Sequence, residues 1–157
     1  MTAPEIRAAT PEDVPALVAL ASRTILRCYP PFLGEEVARG FVESGVIERY
    51  VEGNVANCEV LVEEGEIVGL AIFLGKTIDL LLIDADRQRR GLGSRLLEHV
   101  EARLFDDWQE LLLESFEGNA PAIAFYRRHG WTDAGRFLDE DSGRHKVRLR
   151  KVQQASG

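Results

Sequence analysis

The chain has 157 residues, of which 45% are hydrophobic and 29% charged, and this length favours a single domain over residues 1–157. Its 26 acidic and 19 basic residues give a net charge of −7, which argues against general nucleic-acid binding. No apolar run approaches the roughly 20 residues that a membrane-spanning helix needs, and the first residues lack the features of a signal peptide. We therefore expect a cytoplasmic protein without a membrane partner.

The first half of the chain combines one strand with several helices. Residues 5–9 fit a short strand, and Thr10 and Pro11 then begin a helix with a repeating apolar stripe that reaches about Tyr29. The Pro30–Pro31 pair is expected to end that helix. Residues 34–44 and 46–51 are typical of two further, weakly patterned helices.

The second half alternates strands with helices. Predicted strands cover residues 58–63, 67–74, 78–83, 111–115, 131–137 and 146–152, and predicted helices cover residues 91–105 and 119–129. The nearly unbroken apolar run at 78–83 indicates a strand in the middle of the sheet, buried on both faces. The order of elements predicts an α/β protein of the α+β type, with a mixed, mainly antiparallel twisted sheet and helices on both faces.

A glycine-containing loop joins the central strand to the following helix. Gly91 and Gly93 lie at the helix start, where free backbone N–H groups and the helix dipole favour an anion such as phosphate. Four nearby cations, Arg87, Arg89, Arg90 and Arg95, suggest a locally positive entrance. The spacing alone is equally compatible with a tight turn that carries a solvated rim of arginines. Neither a GxGxxG dinucleotide motif nor a P-loop is present.

Two motifs together resemble the GNAT superfamily of acetyl-CoA-dependent N-acetyltransferases. Residues 88–93, Gln-Arg-Arg-Gly-Leu-Gly, match the family pattern Q/R-x-x-G-x-G/A, which cradles the pyrophosphate of coenzyme A. The second pattern, N-x-x-A-x-x-F/L-Y-x-x-x-G-F/W, is matched by Asn119, Ala122, Phe125, Tyr126, Gly130 and Trp131. The resemblance implies the GNAT fold and acetyl-CoA as the co-substrate.

The resemblance also implies which residues bind the coenzyme. The predicted set is Leu81, Leu82 and Ile83 for the acetyl carbonyl and pantetheine, Arg89, Arg90, Gly91, Leu92, Gly93 and Ser94 for the pyrophosphate, and Asn119 from the second motif. In the strand the backbone groups are expected to bind, rather than the side chains.

Two side chains are predicted to carry the chemistry. Tyr126 is protonated at neutral pH and suits the role of general acid toward the departing thiolate, although it could instead be a core tyrosine with a satisfied hydroxyl. Glu114 matches the general base of the branch that includes ribosomal-protein N-terminal acetyltransferases. The alternative is a strand-end carboxylate paired with an arginine across the sheet, and Asp79 is the reserve candidate for the base.

The expected function is acetyl transfer from acetyl-CoA to a primary amine of a small molecule or peptide. The alternative is a non-catalytic acyl-CoA-binding protein with the GNAT fold, acting as a sensor or structural protein. The segment from Tyr29 to Leu33 could form the acceptor pocket or a hydrophobic plug. Cys28, Cys58 and the histidines form no ligand cluster, so no metal is expected, and the chain could be a monomer or a homodimer.

Overall fold

The computed structural model describes residues 3–88 and 90–154, and these form a seven-stranded sheet flanked by helices. In spatial order the strands run β1-β2-β3-β4-β5-β7-β6. Their bounds are β1 Glu5–Ala8, β2 Cys58–Glu63, β3 Glu66–Leu74, β4 Thr77–Ile83, β5 Glu110–Phe116, β6 Thr132–Asp139 and β7 Arg144–Val152. Neighbouring strands are antiparallel except β4 and β5, which are parallel.

Six α-helices and three short 3-10 turns connect these strands within the described residues. The helices are α1 Val14–Cys28, α2 Pro30–Leu33, α3 Glu35–Glu43, α4 Val46–Asn54, α5 Leu92–Leu104 and α6 Ala120–Arg128. The 3-10 turns are Pro11–Asp13, Val55–Asn57 and Ala85–Arg87. None of the described helices has both the length and the apolar character needed to cross a membrane.

Two hydrophobic cores cover the two faces of the sheet, as the apolar patterns predicted. On one face α1, α3 and α4 pack on β2 and β3 through Leu17, Leu20, Ala38, Val51, Val60, Leu70 and Ile72. On the other face α5 and α6 pack on the strands through Leu96, Leu97, Val100, Leu111, Leu113, Ile123 and Trp131. Each fully buried leucine contributes about 1.5 to 3 kcal/mol to folding.

A buried ion pair cross-links α5, β7 and the end of α6. Glu101 is almost fully buried, and one carboxylate oxygen accepts from Trp131 Nε1 at 2.8 Å. The other lies 2.7 Å from Lys151 Nζ, which also donates to the carbonyl oxygen of His129 at 2.7 Å. The end of α6 is thereby held against the start of β6 and the last strand.

A second ion pair lies just before the N-terminus of α1. The two terminal guanidinium nitrogens of Arg7 donate to Asp13, at 2.8 and 3.0 Å, and the Asp13 carboxylate also accepts from the backbone N–H of Thr10 at 2.8 Å. Hydrogen bonding from Arg7 lowers the pKa of Asp13 to about 2, against the opposing effect of burial. This arrangement ties β1 to the helix that follows it.

Two local expectations differ from the structure. The Pro30–Pro31 pair follows the end of α1 but also begins α2, because proline lacks only an N–H that the first turn of a helix leaves unpaired. The central position of β4 is confirmed, whereas its burial on both faces is interrupted by the exposed Asp79.

Candidate functional site

β4 and β5 separate soon after they pair, and this leaves an opening in the middle of the sheet. Their parallel register in the described structure covers only Thr77 with Leu112 and Ile78 with Leu113. The next residue on β4, Asp79, is an extra residue in the pairing with β3, because Ile78 and Leu80 face consecutive residues of that strand. Such a bulge bends the strand, and β4 diverges from β5 at this point.

The backbone of β4 presents polar groups to this opening. The N–H of Asp84 donates to the carbonyl of Val68 in β3 at 2.8 Å, which fixes the alternation of the antiparallel ladder. By that alternation Leu82 bonds to β3, whereas the N–H and C=O groups of Leu81 and Ile83 are directed away from β3. Of the three predicted β4 residues, Leu81 and Ile83 therefore offer backbone groups to the opening, and Leu82 does not.

On the opposite edge the equivalent groups come from β5. The N–H of Glu117 donates to the carbonyl of His145 at 2.9 Å, so the odd-numbered residues of β5 bond to β7. The even-numbered residues face β4, so the Glu114 N–H bonds to Ile78 in the last parallel pair and the Glu114 carbonyl is directed into the opening. Two strand edges with free donors and acceptors face each other there, an arrangement suited to an extended ligand that carries amide groups.

The N-terminus of α5 lies where β4 ends. Gly91 precedes the helix with φ 78° and ψ 3°, a left-handed conformation that favours glycine, and a Cβ added there would meet nothing within 4 Å. The first helical hydrogen bond runs from Arg95 N–H to the Gly91 carbonyl at 3.1 Å. The N–H groups of Leu92, Gly93 and Ser94 therefore precede the hydrogen-bonded part of the helix and are oriented to bind an anion.

Gly93 lies close to α6 and to β4, at ordinary van der Waals distances, and neither its backbone conformation nor a steric clash requires glycine there. A Cβ at Gly93 would lie 3.5 Å from the Phe125 ring and 3.7 Å from Ile83. This contact brings the first turn of α5 against α6 and the end of β4, so the two motif helices are directly in contact.

The arginines near the glycine turn are less free than the sequence suggested. Arg90 binds the Glu63 carboxylate through two nitrogens, at 3.1 and 3.2 Å, and Arg87 donates to Glu66 at 2.9 Å. Arg95 is exposed and has no ion pair with any residue in the described parts of the chain. Arg89, also predicted to bind the pyrophosphate, lies outside the described residues.

Side chains of α1 fix the loop between β4 and α5. Arg23 pairs with Asp84 at 3.1 Å and Arg27 pairs with Asp86. Gln88, the first residue of the glycine motif, donates from its side-chain amide to the carbonyl of Ile83 at 3.1 Å. The glutamine thus satisfies the last free carbonyl of β4 and orients the turn that follows.

Tyr126 of α6 is buried beside the opening. Burial raises its pKa, and the nearby phenol of Tyr29 acts in the same direction. Tyr126 belongs to the α5–α6 core and Tyr29 packs on the opposite core, so the two phenols approach each other across the sheet. No residue in the described ranges makes a hydrogen bond to the Tyr126 hydroxyl, unlike a core tyrosine with a satisfied hydroxyl.

Glu114 and Asp79 flank the narrow end of the opening. Each is the first residue of its strand beyond the last parallel pair, Ile78 with Leu113. Glu114 is exposed, and its Oε2 atom accepts from Arg148 of β7 at 3.0 Å, so it does form the cross-strand ion pair considered as the alternative to a catalytic role. Asp79 accepts a hydrogen bond from the Tyr50 hydroxyl.

Tyr50 is a site residue that sequence reasoning missed. It lies on α4, between the buried residues Ile47 and Val51, and nothing in the pattern of that short helix indicates a role near β4. Burial, and after it the hydrogen bond to Asp79, raises the pKa of Tyr50. Burial likewise raises the pKa of Tyr29 to about 12, so these phenols stay protonated at neutral pH.

Asn119 and an aromatic wall complete the site. Asn119 immediately precedes α6 but makes no capping hydrogen bond through its side chain. On the side of the sheet opposite α6, Phe32 of α2 packs at a tilt between Tyr29 and Phe116, with ring centroids 5.0 and 5.6 Å away. A Cβ at Gly118 would lie only 2.6 Å from Phe32, so glycine permits this close contact.

A groove of about 470 Å³ continues from this wall toward the β6–β7 turn. Its lining combines aromatic, acidic and basic side chains: Pro31, Phe32, Phe116, Glu117, Gly118, Gly143, Arg144 and His145. Within the described ranges, no group of three or more His, Cys, Asp or Glu side chains could hold a metal ion.

Comparison with protein families and known proteins gives a consistent result. Residues 54–133 match the model of the GNAT acetyltransferase domain. The peptidyl-lysine N-acetyltransferase YjaB of Salmonella typhimurium is 30% identical over 82 residues, 52% of this chain and 54% of that protein. The peptidyl-lysine N-acetyltransferase YiaC of Escherichia coli is 31% identical over 70 residues, 44% of this chain and 45% of that protein. The chain spans about half the length of these two curated relatives.

Solved structures resemble the fold over nearly the whole chain. The PaiA N-acetyltransferase of Thermoplasma acidophilum, in complex with coenzyme A, has a TM-score of 0.82 at 16% identity and covers 97% of this chain and 100% of that one. The apo form of YjaB from Escherichia coli has a TM-score of 0.77 at 26% identity and covers 98% of this chain and 100% of that one. The fold class predicted from the sequence is thereby confirmed.

Proposed function

The chain belongs to the GNAT acetyltransferase family, and on that premise we propose that it transfers an acetyl group from acetyl-CoA to a primary amine of a small molecule or peptide. The observation that carries the proposal is the opening between β4 and β5, which leads from two carboxylates and the Tyr126 hydroxyl to the N-terminus of α5. The proposal assigns coenzyme binding and catalysis to residues that border this opening.

The backbone groups of the site fit coenzyme A. Both backbone groups of Leu81 and the N–H of Ile83 are free to bind the amides of the pantetheine arm, whereas Gln88 occupies the Ile83 carbonyl. The N–H groups of Leu92, Gly93 and Ser94 suit the pyrophosphate, with Arg95 as the cation nearest in sequence. Acetyl-CoA supplies the activated acetyl group, whose thioester carbon accepts the lone pair of a neutral amine while the coenzyme thiolate leaves.

Glu114 is proposed as the base that accepts a proton from the incoming ammonium group. Arg148 occupies its Oε2 atom, and the Oε1 atom has no hydrogen bond from any described residue, so it can accept the proton directly or through water. The demand on this base depends on the acceptor. At pH 7, deprotonation costs about 4.6 kcal/mol for a lysine-like amine and about 1.4 kcal/mol for an α-amine.

Tyr126 is proposed as the acid toward the departing sulfur. Its hydroxyl is protonated at neutral pH and makes no competing hydrogen bond within the described chain. Because burial raises its pKa further above that of a thiol, complete transfer of the proton would be uphill unless the amine loses its own proton at the same time. The hydroxyl therefore acts chiefly as a hydrogen-bond donor that stabilises negative charge on the sulfur.

The acceptor amine is proposed to enter from the α2 side of the sheet. The aromatic wall of Tyr29, Phe32 and Phe116 borders the opening there, and Glu114 lies on the same strand as Phe116. Peptidyl-lysine, the acceptor named for YjaB and YiaC, is one member of the proposed class.

One observation favours the non-catalytic alternative, the binding of acyl-CoA without turnover. The Glu114–Arg148 ion pair has the geometry of a structural cross-strand contact, so the base role rests on the free Oε1 atom alone. If Asp79 is the base instead, its carboxylate must accept the proton of the amine while it also accepts the hydrogen bond from Tyr50. Glu114 as the base, Asp79 as the base, and binding without turnover lead to different predictions for single substitutions.

Acetyl-CoA consumption across amine classes, with mass spectrometry of the products, tests the function. We expect one class to be acetylated, and Glu114→Gln to reduce turnover more for a lysine-like acceptor than for an α-amine. Asp79→Asn is the matched control, since it also replaces a carboxylate at the narrow end of the opening by an amide. Loss of turnover in Asp79→Asn only would assign the base to Asp79. Binding of acetyl-CoA without acetylation of any amine would favour the non-catalytic alternative.

A further inference from the structure

The third residue of α5, Ser94, is joined to the last turn of α6 by a histidine. The Ser94 hydroxyl oxygen lies 2.9 Å from Nε2 of His129, and Nδ1 of the same ring lies 2.8 Å from the carbonyl oxygen of Phe125. The imidazole also packs on the Phe125 ring, with 4.5 Å between the ring centroids. Both nitrogens of a partly buried ring are therefore engaged.

These two contacts determine the tautomer of neutral His129. A carbonyl oxygen only accepts hydrogen bonds, so Nδ1 must carry the proton that is donated to Phe125. Nε2 is then unprotonated and accepts from the Ser94 hydroxyl. In this state the serine proton points at the histidine, and the serine oxygen presents only lone pairs to the anion site at the start of α5.

Protonation of His129 reverses one of the two hydrogen bonds. Nε2–H now donates to the Ser94 oxygen, and the serine hydroxyl is free to donate to a phosphate oxygen. The heavy atoms need not move, because both states use the same 2.9 Å contact. The cation also adds favourable charge near the phosphates.

We propose that His129 is a positioning residue whose proton sets the direction of the Ser94 hydroxyl and thereby couples the affinity for the coenzyme pyrophosphate to pH. The inference rests on the proposed coenzyme site and adds a residue that acts through Ser94. Because the protonated state binds the phosphates more tightly, binding takes up protons, and affinity rises as pH falls.

The charged groups around His129 come from three elements, β7, α6 and α5. From β7, the Lys151 ammonium lies 2.7 Å from the His129 carbonyl, but Glu101 of α5 neutralises it. On α6 itself Arg128 is the preceding residue, and the carbonyl groups at the helix end favour a cation. On α5 the charged neighbours in sequence are Arg95 and, one helical turn after Ser94, Glu98.

The test is calorimetric titration with dephospho-coenzyme A, whose pyrophosphate diester keeps its charge between about pH 5.5 and 8. For the unmodified protein we expect affinity to rise on the order of tenfold from pH 8 to pH 5.5, with net proton uptake revealed by comparing buffers. His129→Gln keeps a neutral hydrogen-bonding group next to Ser94 and should make the affinity nearly independent of pH. Ser94→Ala should remove most of the dependence.

The matched control is His99→Gln, since His99 lies on α5 like Ser94 but contacts Glu59, at 2.8 Å, and not the serine. This variant should keep the full pH dependence. If His129→Gln retains the tenfold change, or Ser94→Ala retains it entirely, the coupling through the serine hydroxyl is wrong. If dephospho-coenzyme A does not bind the unmodified protein at any pH, the proposed function fails, and this inference fails with it.

Discussion

Replacement of Gly91 by alanine, compared with the same replacement at Gly45, distinguishes the loss of an anion site from the cost of a strained backbone. Gly91 has φ 78° and ψ 3° at the N-terminus of α5, and Gly45 has φ 80° and ψ 4° at the N-terminus of α4. An alanine in this left-handed conformation costs about 1 kcal/mol at either position. The two variants therefore carry the same backbone strain, and only one of them lies at the proposed phosphate site.

The two added methyl groups would have different surroundings, and only the one at Gly91 would lie at the proposed phosphate site. At Gly91 the new Cβ would meet nothing within 4 Å, so it would occupy open space at the proposed phosphate site. At Gly45 it would lie 3.2 Å from the terminal Nη1 atom of Arg49, a flexible group that can move aside. Each substitution should lower the melting temperature by about 2 to 4 °C.

Coenzyme A titration of both variants is the assay. We expect Gly91→Ala to weaken binding at least ~10-fold, or about 1.4 kcal/mol, because the methyl group blocks close approach of the pyrophosphate to the helix N–H groups. Gly45→Ala should bind like the unmodified protein. Equal affinities in two folded variants would refute the assignment of the phosphate site to the first turn of α5.

Three further outcomes follow from the contacts described above. Tyr126→Phe should lower turnover by about 100- to 10,000-fold with coenzyme affinity unchanged, whereas wild-type turnover under chemistry-limited conditions would remove Tyr126 from the mechanism. Lys151→Met leaves the Glu101 carboxylate buried beside Trp131 without its cation and should destabilise the fold by about 3 to 5 kcal/mol in urea unfolding. The pKa of Asp13 is lowered to about 2, so its ionised form adds stability above about pH 4 that is lost as pH falls through 2. Asp13→Asn should flatten this acid limb of the stability profile, and an unchanged limb would contradict the role of that ion pair.

The repeating patterns of the chain were sufficient for most of the fold. β4 and α5 have long, strongly patterned apolar sequences, and the structure confirms their type and order. The two motifs also placed Gly91 and Tyr126 on elements that do meet. The sequence around Pro30 did not predict α2, because a proline can follow the end of one helix and also begin the next.

Contacts between distant segments could not be read from the sequence. The pairing of Arg87 and Arg90 with acids of the β2–β3 hairpin requires that hairpin to lie beside the glycine turn, which only the folded sheet reveals. The hydrogen bond from Tyr50 to Asp79 likewise depends on a bulge, and a bulge is a property of strand register. Ser94 and His129 are 35 residues apart, so no local pattern links them.

The short parallel contact between β4 and β5 is a seam that divides the sheet into two ribbons with few hydrogen bonds between them. Strands β1 to β4 form one meander of sequential neighbours, and β5, β7 and β6 form a second ribbon, with only two register pairs between them in the described structure. Hydrogen-bond cooperativity is interrupted at that seam, so the two ribbons are expected to open as separate units in native-state hydrogen exchange. The amides of Leu81 and Ile83, which have no partner strand, should exchange much faster than those of Leu70 or Leu149 inside the ribbons. A ligand that forms hydrogen bonds with both β4 and β5 would join the two ribbons into one cooperative sheet. Amide hydrogen exchange should then slow in both strands.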